Sequence, residues 1–411
     1  MSKTILIVWE HGGNLGHLFR LLPIAVALRD AGYEVVFTVG NEVAARSYLE
    51  SAGFSCLGMP KVAPETPSYA AGVLNHAELL LRTGFGRVAQ VRRCIEQWHE
   101  LFKSVKPQAA LIDASPVCLY AARSAGLPAV ALGHGFEIPP SRAQRPCFIP
   151  WAEDSDLKAE AFELQLERSL AELAQAIVGR GLPPPMSMDE LYPPGKDVIC
   201  AWPELDHFSR LPSDIDTAVT YSGPIWSEPV NGEAYDWPPT DGAKVLCYLN
   251  LRDKRYDMIW QALKYQGADV LVISPAGLPK ACQAARGWGI KVVEHPVRLE
   301  TLLSQCQAIV GHGGMGFTSM ALHAGKPVLM LPEHLEQAIL AYRLGKQGLA
   351  LATIRQNDKS LINKKVSQLL HDDSLRLQAQ KFSAIYGAYA PSLAVEGIVT
   401  KLKNAIARQL I

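Results

Sequence analysis

The sequence predicts an α/β protein built from two doubly wound domains, each a parallel sheet covered by helices. Strand and helix signals alternate along most of the chain, and the alternation is interrupted once, by a proline- and tryptophan-rich segment over 221–240. The 411 residues, of which 48% are hydrophobic and 19% charged, fit about two or three domains with large cores. This composition excludes a disordered or fibrous chain.

The first half opens with a βαβ unit. The apolar run over 5–9 leads through a glycine-rich turn to an apolar helix over 18–31, and a second β-rich run follows over 33–39. Further strands are predicted over 109–112 and 129–132, and long helices over 78–106 and 156–180.

The alternation restarts in the second half and predicts a second sheet with its own helices. Strands are predicted over 244–249, 269–274, 291–294, 308–312, 327–331 and 349–353. The resulting division is a domain over 1–222, a linker over 223–240, a domain over 241–388 and a terminal segment over 389–411. Pro391 suits the first turn of a helix in that last segment, which we expect to dock back on the protein. Because ligands of open α/β sheets bind at the carboxyl ends of strands, the two domains are expected to face each other across a cleft that holds the site.

Charge and cysteine usage limit the choice of partners. Forty basic residues balance forty acidic ones, so nucleic acid is not an expected partner. Residues 1–215 carry a net charge of −5 and the remainder +5, which makes the second half the better place for an anionic ligand. Eight cysteines without a CxxC pair, and no apolar run of about 20 residues, predict a reduced, cytoplasmic protein without a transmembrane segment. The oligomeric state is not predicted.

The strongest local motif is the glycine-rich turn over 311–316, which follows an apolar strand and opens a helix. Glycines allow close approach of the backbone to a ligand, and the free amides of a helix start attract an anion such as a diphosphate. His312 offers a further donor. A tight turn that needs glycine only for packing is the alternative, and the absence of a P-loop lysine argues against hydrolysis of ATP or GTP.

A second polar loop, from Glu10 to His17, joins the first strand to the first helix. It lacks the full dinucleotide fingerprint, so NAD binding is not expected. His17, at the helix start, is placed to act as a general base, and Asp113, at the end of another strand, is the candidate that orients it. An ordinary helix cap is the alternative for Asp113. The loop residues His11, Gly12, Gly13 and Asn14 are expected near the second substrate.

Two further polar clusters follow strands of the second half. The cluster after 327–331 contains Glu336 and Gln337, which suit the hydroxyls of a sugar, although a solvated loop face is the alternative. The turn with Val297 and Arg298 offers backbone groups to a nucleotide base, although Arg298 also fits an ordinary surface charge.

These motifs together resemble the GT-B glycosyltransferases, specifically the family of bacterial antibiotic and macrolide enzymes and plant UDP-glycosyltransferases. The resemblance covers most of the chain. Gly16-His17 stands ahead of Gly32-Tyr33-Glu34-Val35 at the family's spacing, and Ser222-Gly223-Pro224 matches its domain boundary. The family's most specific block is matched at His312, Gly313, Gly314, Gly316, Ala321, Leu322, Gly325 and Pro327.

Four positions depart from the family pattern. Phe317 replaces a Thr or Ser, Met320 replaces a Glu that holds the ribose hydroxyls, and Glu336 lengthens the usual Asp of the sugar clamp. Since a deoxyribose lacks the 2′-hydroxyl, the loss at Met320 favours a thymidine-diphosphate sugar as donor. Arg20 replaces a proline, and its cation is expected either to meet an acidic acceptor or to lie on the helix surface.

The resemblance implies a GT-B fold of two Rossmann-like domains and an inverting, metal-independent glycosyltransferase. The co-substrate would be a UDP- or dTDP-linked sugar, no separate cofactor would be needed, and a hydroxyl or amine of a small molecule would be the acceptor. His17 and Asp113 would be catalytic, Glu336 and Gln337 would hold the sugar, and Val297 and Arg298 the base. The diphosphate would contact His312, Gly313, Gly314, Met315, Gly316, Phe317 and Thr318. The alternatives are a nucleotide-sugar epimerase and a non-catalytic nucleotide-sugar-binding protein.

Overall fold

The computed structural model describes most residues of the chain. They are residues 3–12, 15–62, 72–142, 145–149, 155–177, 183–193, 195–208, 210, 221–227, 232–252, 256–353 and 358–409.

Contacts between residues divide the chain into two compact units. The first comprises Met1–Ile225 together with Pro391–Ile411, and the second comprises Trp226–Ala390. The division at 222, 240 and 388 that the sequence predicts stays a prediction. Residues 232–240 nevertheless make contacts inside the second unit, because Trp237 Nε1 donates to Asp269 Oδ2 at 2.9 Å.

The first unit contains a six-stranded parallel sheet in the order β3-β2-β1-β4-β5-β6. Its strands are β1 (Thr4–Trp9), β2 (Glu34–Val39), β3 (Ser55–Leu57), β4 (Ala109–Asp113), β5 (Ala129–Gly133) and β6 (Val198–Ile199). Strand β1 is buried along its whole length, as expected for a central strand with helices on both faces. The strand order reverses between β1 and β4, and the carboxyl ends at such a switch point form the usual ligand site of this architecture.

Seven described helices accompany this sheet in the chain order of the first unit. They are α1 (Gly16–Asp30), α2 (Glu42–Ser51), α3 (His76–Leu80), α4 (Val88–Val105), α5 (Pro116–Ser124), α6 (Ser155–Ala176) and α7 (Met188–Leu191).

The long helix predicted over 78–106 is broken in the structure. A wider helical turn, Leu81–Phe85, separates α3 from α4, and Gly84 within it has a φ of +146°, which no continuous α-helix accommodates. The hydrophobic pattern predicted α4 correctly, but the glycines at 84 and 86 interrupt the longer helix that was predicted over 78–106.

The second unit repeats the architecture with a parallel sheet in the order β12-β11-β10-β7-β8-β9. Its strands are β7 (Lys244–Tyr248), β8 (Asp269–Ile273), β9 (Lys291–Val293), β10 (Ala308–Gly311), β11 (Val328–Met330) and β12 (Leu351–Ala352). Here the switch point lies between β7 and β10, where Tyr248 and Gly311 are paired at the strand ends.

The described helices of the second unit flank this sheet and pack on its apolar core. They are α8 (Asp257–Tyr265), α9 (Pro279–Gly287), α10 (Leu299–Gln305), α11 (Met315–His323), α12 (Leu335–Lys346), α13 (Lys359–His371) and α14 (Asp373–Tyr386).

The terminal helix α15 (Pro391–Gln409) packs on the first unit, against α1, β4 and β5. Its Lys401 Nζ donates to the carbonyl oxygens of Gly195 and Asp197 at 3.0 and 2.9 Å. The return of this helix to the first unit agrees with the predicted fold class. All eight cysteines are free thiols. Within the described part of the chain, no helix is long and apolar enough to cross a membrane.

Candidate functional site: a histidine–carboxylate pair and a glycine loop

The switch point of the first sheet brings His17 and Asp113 together. Asp113 is the last residue of β4 and is paired with Trp9 at the end of β1, while His17 lies in the first turn of α1. His17 Nδ1 lies 3.0 Å from Asp113 Oδ1. The Asp113 side chain is fully buried, whereas 17% of the His17 side chain is exposed. A proton on Nδ1 is therefore held by the carboxylate, which leaves the lone pair on Nε2.

Arg20 completes this cluster, contrary to both sequence expectations for it. Its side chain is only 2% exposed, and its Nη2 donates to Asp113 Oδ1 and Oδ2 at 2.7 and 2.6 Å. Arg20 Nε also donates to Asp113 Oδ2, at 3.2 Å. Arg20 is thus neither a surface cation nor free to meet an acidic acceptor, because a buried carboxylate attracts the guanidinium away from solvent. The i, i+3 spacing from His17 was the available signal, since it puts both side chains on one helix face.

The electrostatics of the pair favour an ionised carboxylate. Burial disfavours the charged form of Asp113, but the adjacent Arg20 and His17 outweigh it and hold the pKa of Asp113 below its ordinary value. Burial also works to lower the pKa of His17, whereas the charge and hydrogen bond of Asp113 raise it, and the net direction is upward. Arg20 opposes that increase.

Gly12 and Trp9 fix the surroundings of the His17 ring. The indole of Trp9 stacks on the imidazole, with centroids 5.4 Å apart and planes 15° from parallel. Gly12 has a φ of +114°, and a Cβ there would lie 2.6 Å from His17 Nε2. A side chain at this position would therefore obstruct the nitrogen that carries the lone pair. Gly13 and Asn14, the other predicted loop residues, lie outside the described residues.

His11, which belongs to this loop, lines an open pocket in the first unit. Ala114, which directly follows Asp113, contributes to the same wall. The remaining lining is largely apolar, with Leu79, Leu80, Pro116, Phe136 and Pro139, and its polar members include His76, Thr83, Glu137 and Tyr192. An apolar cavity with a few polar groups is the usual form of a small-molecule pocket. The sequence predicts His11 near the second substrate, but nothing in it indicated the contribution of α3, which supplies His76, Leu79 and Leu80.

The predicted anion-binding loop lies at the switch point of the second sheet. The chain leaves β10 at Gly311, and α11 begins at Met315. Gly314 is the residue before the helix, no side chain caps this end, and the first backbone N–H that returns to it is that of Thr318, which donates to the Gly314 carbonyl at 3.0 Å. The amides of Met315, Gly316 and Phe317 belong to the first turn, so they have no helical partner and can bind an anion.

Gly313 is the residue of this loop that requires glycine most clearly. Its φ is +92°, and a Cβ there would lie 2.5 Å from Met330 Cε. By contrast, Gly314 and Gly316 have open space where a Cβ would stand. The packing alternative therefore explains Gly313 and also Gly311, where a Cβ would lie 3.1 Å from Phe317 Cδ1. It does not explain Gly314 and Gly316, and these open positions leave room for a ligand beside the helix start.

The ring of His312 takes part in fixing the loop. Its Nε2 accepts the backbone N–H of Asn250 at 2.8 Å, and its Nδ1 donates to the Leu331 carbonyl at 3.2 Å. The ring thereby joins the residues after β7 and β11 to the loop. Its contact with a phosphate stays a prediction.

Two of the residues that depart from the family pattern, Phe317 and Met320, belong to α11. The ring of Phe317 lies 5.0 Å from that of Tyr248 at the end of β7. Thr318 is 1% exposed and Met320 is 6% exposed, so both side chains belong to the buried face of the helix. Met320 therefore offers no carboxylate to a ribose.

Glu336 and Gln337 lie in the first turn of α12, which follows β11. Gln337 Oε1 accepts the backbone N–H of Glu333 at 2.8 Å, which caps the loop before the helix. Glu336 is partly exposed and lies 3.8 Å from His334 Nδ1. Gly313 packs against Gln337, so the structure brings this pair beside the glycine loop.

Val297 and Arg298 follow β9 and pair with the segment before β7. Val297 is buried and forms a bridge with Glu233, while the Arg298 N–H donates to the Glu233 carbonyl at 2.9 Å. Arg298 is exposed and its Nε donates to the Gly232 carbonyl at 3.2 Å. In the structure this turn therefore contacts the segment before β7, and its contact with a nucleotide base stays a prediction.

Comparison with known proteins assigns the class. Residues 281–396 match the family described as erythromycin biosynthesis protein CIII-like, C-terminal domain. The chain is 25% identical to the L-demethylnoviosyl transferase of Streptomyces niveus, over 95% of this chain and 97% of the relative. It is 22% identical to a PGL/p-HBAD biosynthesis glycosyltransferase of Mycobacterium tuberculosis, over 94% and 89% of the two chains.

Solved structures show the same fold over nearly the whole chain. The calicheamicin glycosyltransferase CalG4 is 18% identical, with a TM-score of 0.69 and 98% coverage of both chains. The glycosyltransferase VinC in complex with DTDP is 18% identical, with a TM-score of 0.66 and coverage of 98% and 100%. The spinosyn rhamnosyltransferase SpnG complexed with spinosyn aglycone is 16% identical, with a TM-score of 0.62 and coverage of 95% and 99%.

The fold class is therefore GT-B, as the sequence predicted. The chain is a glycosyltransferase that resembles the macrolide and antibiotic type.

Proposed function

We propose that the protein transfers a sugar from a nucleotide-diphosphate sugar to a hydroxyl or amine of a small apolar molecule, with inversion and without a metal ion. The observation that carries this proposal is the His17–Asp113 pair, 3.0 Å apart at the switch point of the first sheet. Its imidazole presents Nε2 beside a glycine that leaves the nitrogen unobstructed.

In this mechanism Nε2 of His17 takes the proton of the acceptor as the acceptor atom bonds to the anomeric carbon. The bond from that carbon to the diphosphate breaks at the same time, and its electron pair leaves with the nucleotide. Asp113 stays ionised and stabilises the imidazolium that forms, as expected for a carboxylate behind a general base. Direct displacement by this route inverts the anomeric configuration.

The second unit supplies the donor site in this proposal. The diphosphate binds to the amides of Met315, Gly316 and Phe317, and the positive end of α11 stabilises the charge on the leaving group. Glu336 and Gln337 bind sugar hydroxyls, and the turn at Val297 and Arg298 contacts the base.

The cavity of the first unit is the proposed acceptor site. Six of its lining residues are apolar, and His11 and Ala114 connect it to the loop and strand that carry His17 and Asp113. An acceptor with an apolar ring system fits this lining best. The spinosyn aglycone complex of a structural neighbour supports an acceptor of that kind.

We propose a thymidine-diphosphate sugar as the donor. Met320 stands where the resembled family commonly has a ribose-binding Glu, and a methionine side chain offers no carboxylate to the ribose. The complex of VinC with DTDP supports this choice. We propose the cytoplasm as the location of the reaction, because its reducing environment suits eight free thiols.

Product analysis tests the proposed reaction. The protein is incubated with dTDP-glucose or UDP-glucose and a panel of apolar phenols and alcohols, with and without EDTA. We expect a β-glycoside from the α-linked donor and no effect of EDTA. An α-glycoside would reject inversion, and isomerisation of the donor without an acceptor would favour an epimerase.

Calorimetric titration with dTDP and UDP tests the donor base. We expect dTDP to bind more tightly, and the Met320→Glu variant to shift the preference toward UDP because it restores the ribose-binding carboxylate. A clear preference of the unaltered protein for UDP would reject a thymidine donor.

A further inference from the structure

Arg20 has no assigned part in the reaction, yet it contacts both members of the proposed catalytic pair. It lies one helical turn beyond His17 on α1, with three hydrogen bonds of 2.6–3.2 Å to Asp113. Its Nη2 also lies 3.1 Å from His17 Nδ1. A buried cation held this closely by a buried carboxylate forms one electrostatic unit with it.

The contacts of Asp113 Oδ1 show how the three groups are coupled. This oxygen faces both His17 Nδ1, at 3.0 Å, and Arg20 Nη2, at 2.7 Å. Arg20 also holds Oδ2, so the plane of the carboxylate is fixed and Oδ1 is directed at the imidazole. Without Arg20, a carboxylate that is fully buried would lose its main counter-charge and the contacts that orient it.

We propose that Arg20 is a positioning residue: its hydrogen bonds direct Oδ1 of the Asp113 carboxylate at His17, and its charge limits how firmly His17 holds a proton. The catalytic consequence rests on the proposed function, but the effect on His17 does not. A His–Asp pair alone would bind a proton more strongly, and fewer molecules would then carry a free imidazole at neutral pH.

The charged and titratable groups around His17 are consistent with this role. Asp113 and Glu137 work to raise its pKa and Arg20 works to lower it. His134, on the segment after β5, is neutral because burial and then Arg20 lower its pKa. Cys200, which follows β6, also faces Arg20, and burial raises the pKa of this thiol to about 12, so it carries no charge at neutral pH. Arg20 is therefore the cation that balances the two carboxylates near the imidazole.

Titration of the His17 ring by NMR tests the proposal without any substrate. The histidines are labelled with carbon-13, and the His17 signal is assigned by its absence from a His17→Gln variant. We expect Arg20→Gln to raise the pKa of His17 by about one unit, because a nearby positive charge is lost. Arg20→Lys, which keeps the charge, should restore most of the difference.

Arg123→Gln is the matched control. Arg123 also pairs with a buried carboxylate of the first unit, with Nη2 3.1 Å from Asp197 Oδ1, but this pair is separate from the His17 cluster. It should leave the titration of His17 unchanged. A folded Arg20→Gln protein in which His17 titrates as before, or at lower pH, would overturn the proposal.

A second pair of variants tests the proposal if the Arg20→Gln protein does not fold. Asp113→Asn is then compared with the double variant Arg20→Gln, Asp113→Asn, in which both buried charges are removed together. We expect the pKa of His17 to be higher in the double variant, and equality of the two would overturn the proposal.

The pH profile of kcat/KM separates this inference from the proposed function. If both hold, the acid limb in Arg20→Gln moves upward together with the His17 titration. If the pKa of His17 rises in Arg20→Gln but the acid limb of kcat/KM stays at the same pH, Arg20 positions the pair but His17 is not the base.

Discussion

At the scale of the residue, the backbone of Gly12 controls access to the proposed base. Its φ of +114° is a conformation that L side chains rarely adopt, and its Cα faces His17 Nε2. We expect Gly12→Ala to reduce kcat by about a hundredfold, the lower range for loss of a general base, because the methyl group obstructs that nitrogen. Steady-state kinetics with calorimetric nucleotide binding measure the effect, and binding should persist.

Gly16→Ala is the control for this prediction. Gly16 belongs to the same strand–helix connection, has an ordinary φ and has open space where a Cβ would stand. It should retain activity. Equal activity of Gly12→Ala and Gly16→Ala would mean that the glycine does not protect Nε2.

Some features of the candidate site could be predicted from the sequence, and others could not. The pairing of His17 with Asp113 follows from strand ends, since β1 and β4 are neighbours whose carboxyl ends meet. The burial of Arg20 and the stacking of Trp9 on His17 depend on side-chain directions that no linear pattern specifies. Only the i, i+3 spacing of His17 and Arg20 offered a clue.

At the scale of the element, the start of α11 is the proposed anion site. Gly316 lies in its first turn with room for a side chain. We expect Gly316→Asp to weaken dTDP binding at least about tenfold, because its carboxylate opposes the diphosphate. The same carboxylate should maintain or raise the melting temperature, since acids in a first turn stabilise a helix.

Gly316→Ala separates charge from size in that experiment. It fills the same space without charge, so calorimetry should show dTDP affinity close to that of the unaltered protein. If Gly316→Asp binds dTDP as tightly as Gly316→Ala does, the diphosphate does not bind at this helix start.

The elements of the fold were largely predictable. Both parallel sheets follow from the alternation of apolar strands and helices, as the βαβ unit of β1, α1 and β2 illustrates. The break between α3 and α4 was not predictable. The hydrophobic pattern of the sequence continues across Gly84, whereas the backbone of Gly84 leaves the helical region. The role of the His312 ring was also hidden, since its partners Asn250 and Leu331 are distant in sequence.

At the scale of the whole molecule, a buried histidine makes stability depend on pH. His76 packs edge-on against Phe148 and Phe208, its Nε2 donates to the Phe136 carbonyl at 3.0 Å, and burial lowers its pKa to about 3. Below the ordinary value of 6.5, the unfolded chain binds a proton at His76 that the folded chain does not. Stability is therefore lost as pH falls from 6.5 toward 3, by up to about 1.4 kcal/mol per pH unit from this group.

We expect His76→Phe to reduce that slope. Denaturant unfolding at a series of pH values measures the free energy of unfolding of the first unit, and the slope should fall by about 1.4 kcal/mol per pH unit between pH 6 and pH 4. His371→Gln, which alters an exposed ring, serves as the control. An unchanged slope in His76→Phe would mean that His76 is protonated in the folded protein.

The central claim is that His17 accepts the proton of the acceptor during sugar transfer, and the most direct measurement is single-turnover kinetics of His17→Ala with dTDP titration of the same sample. We predict that transfer falls by about 10²–10⁴-fold, the usual contribution of a general base, while dTDP binds as before. Transfer at the unaltered rate, with intact nucleotide binding, would contradict the assignment of His17 as the base.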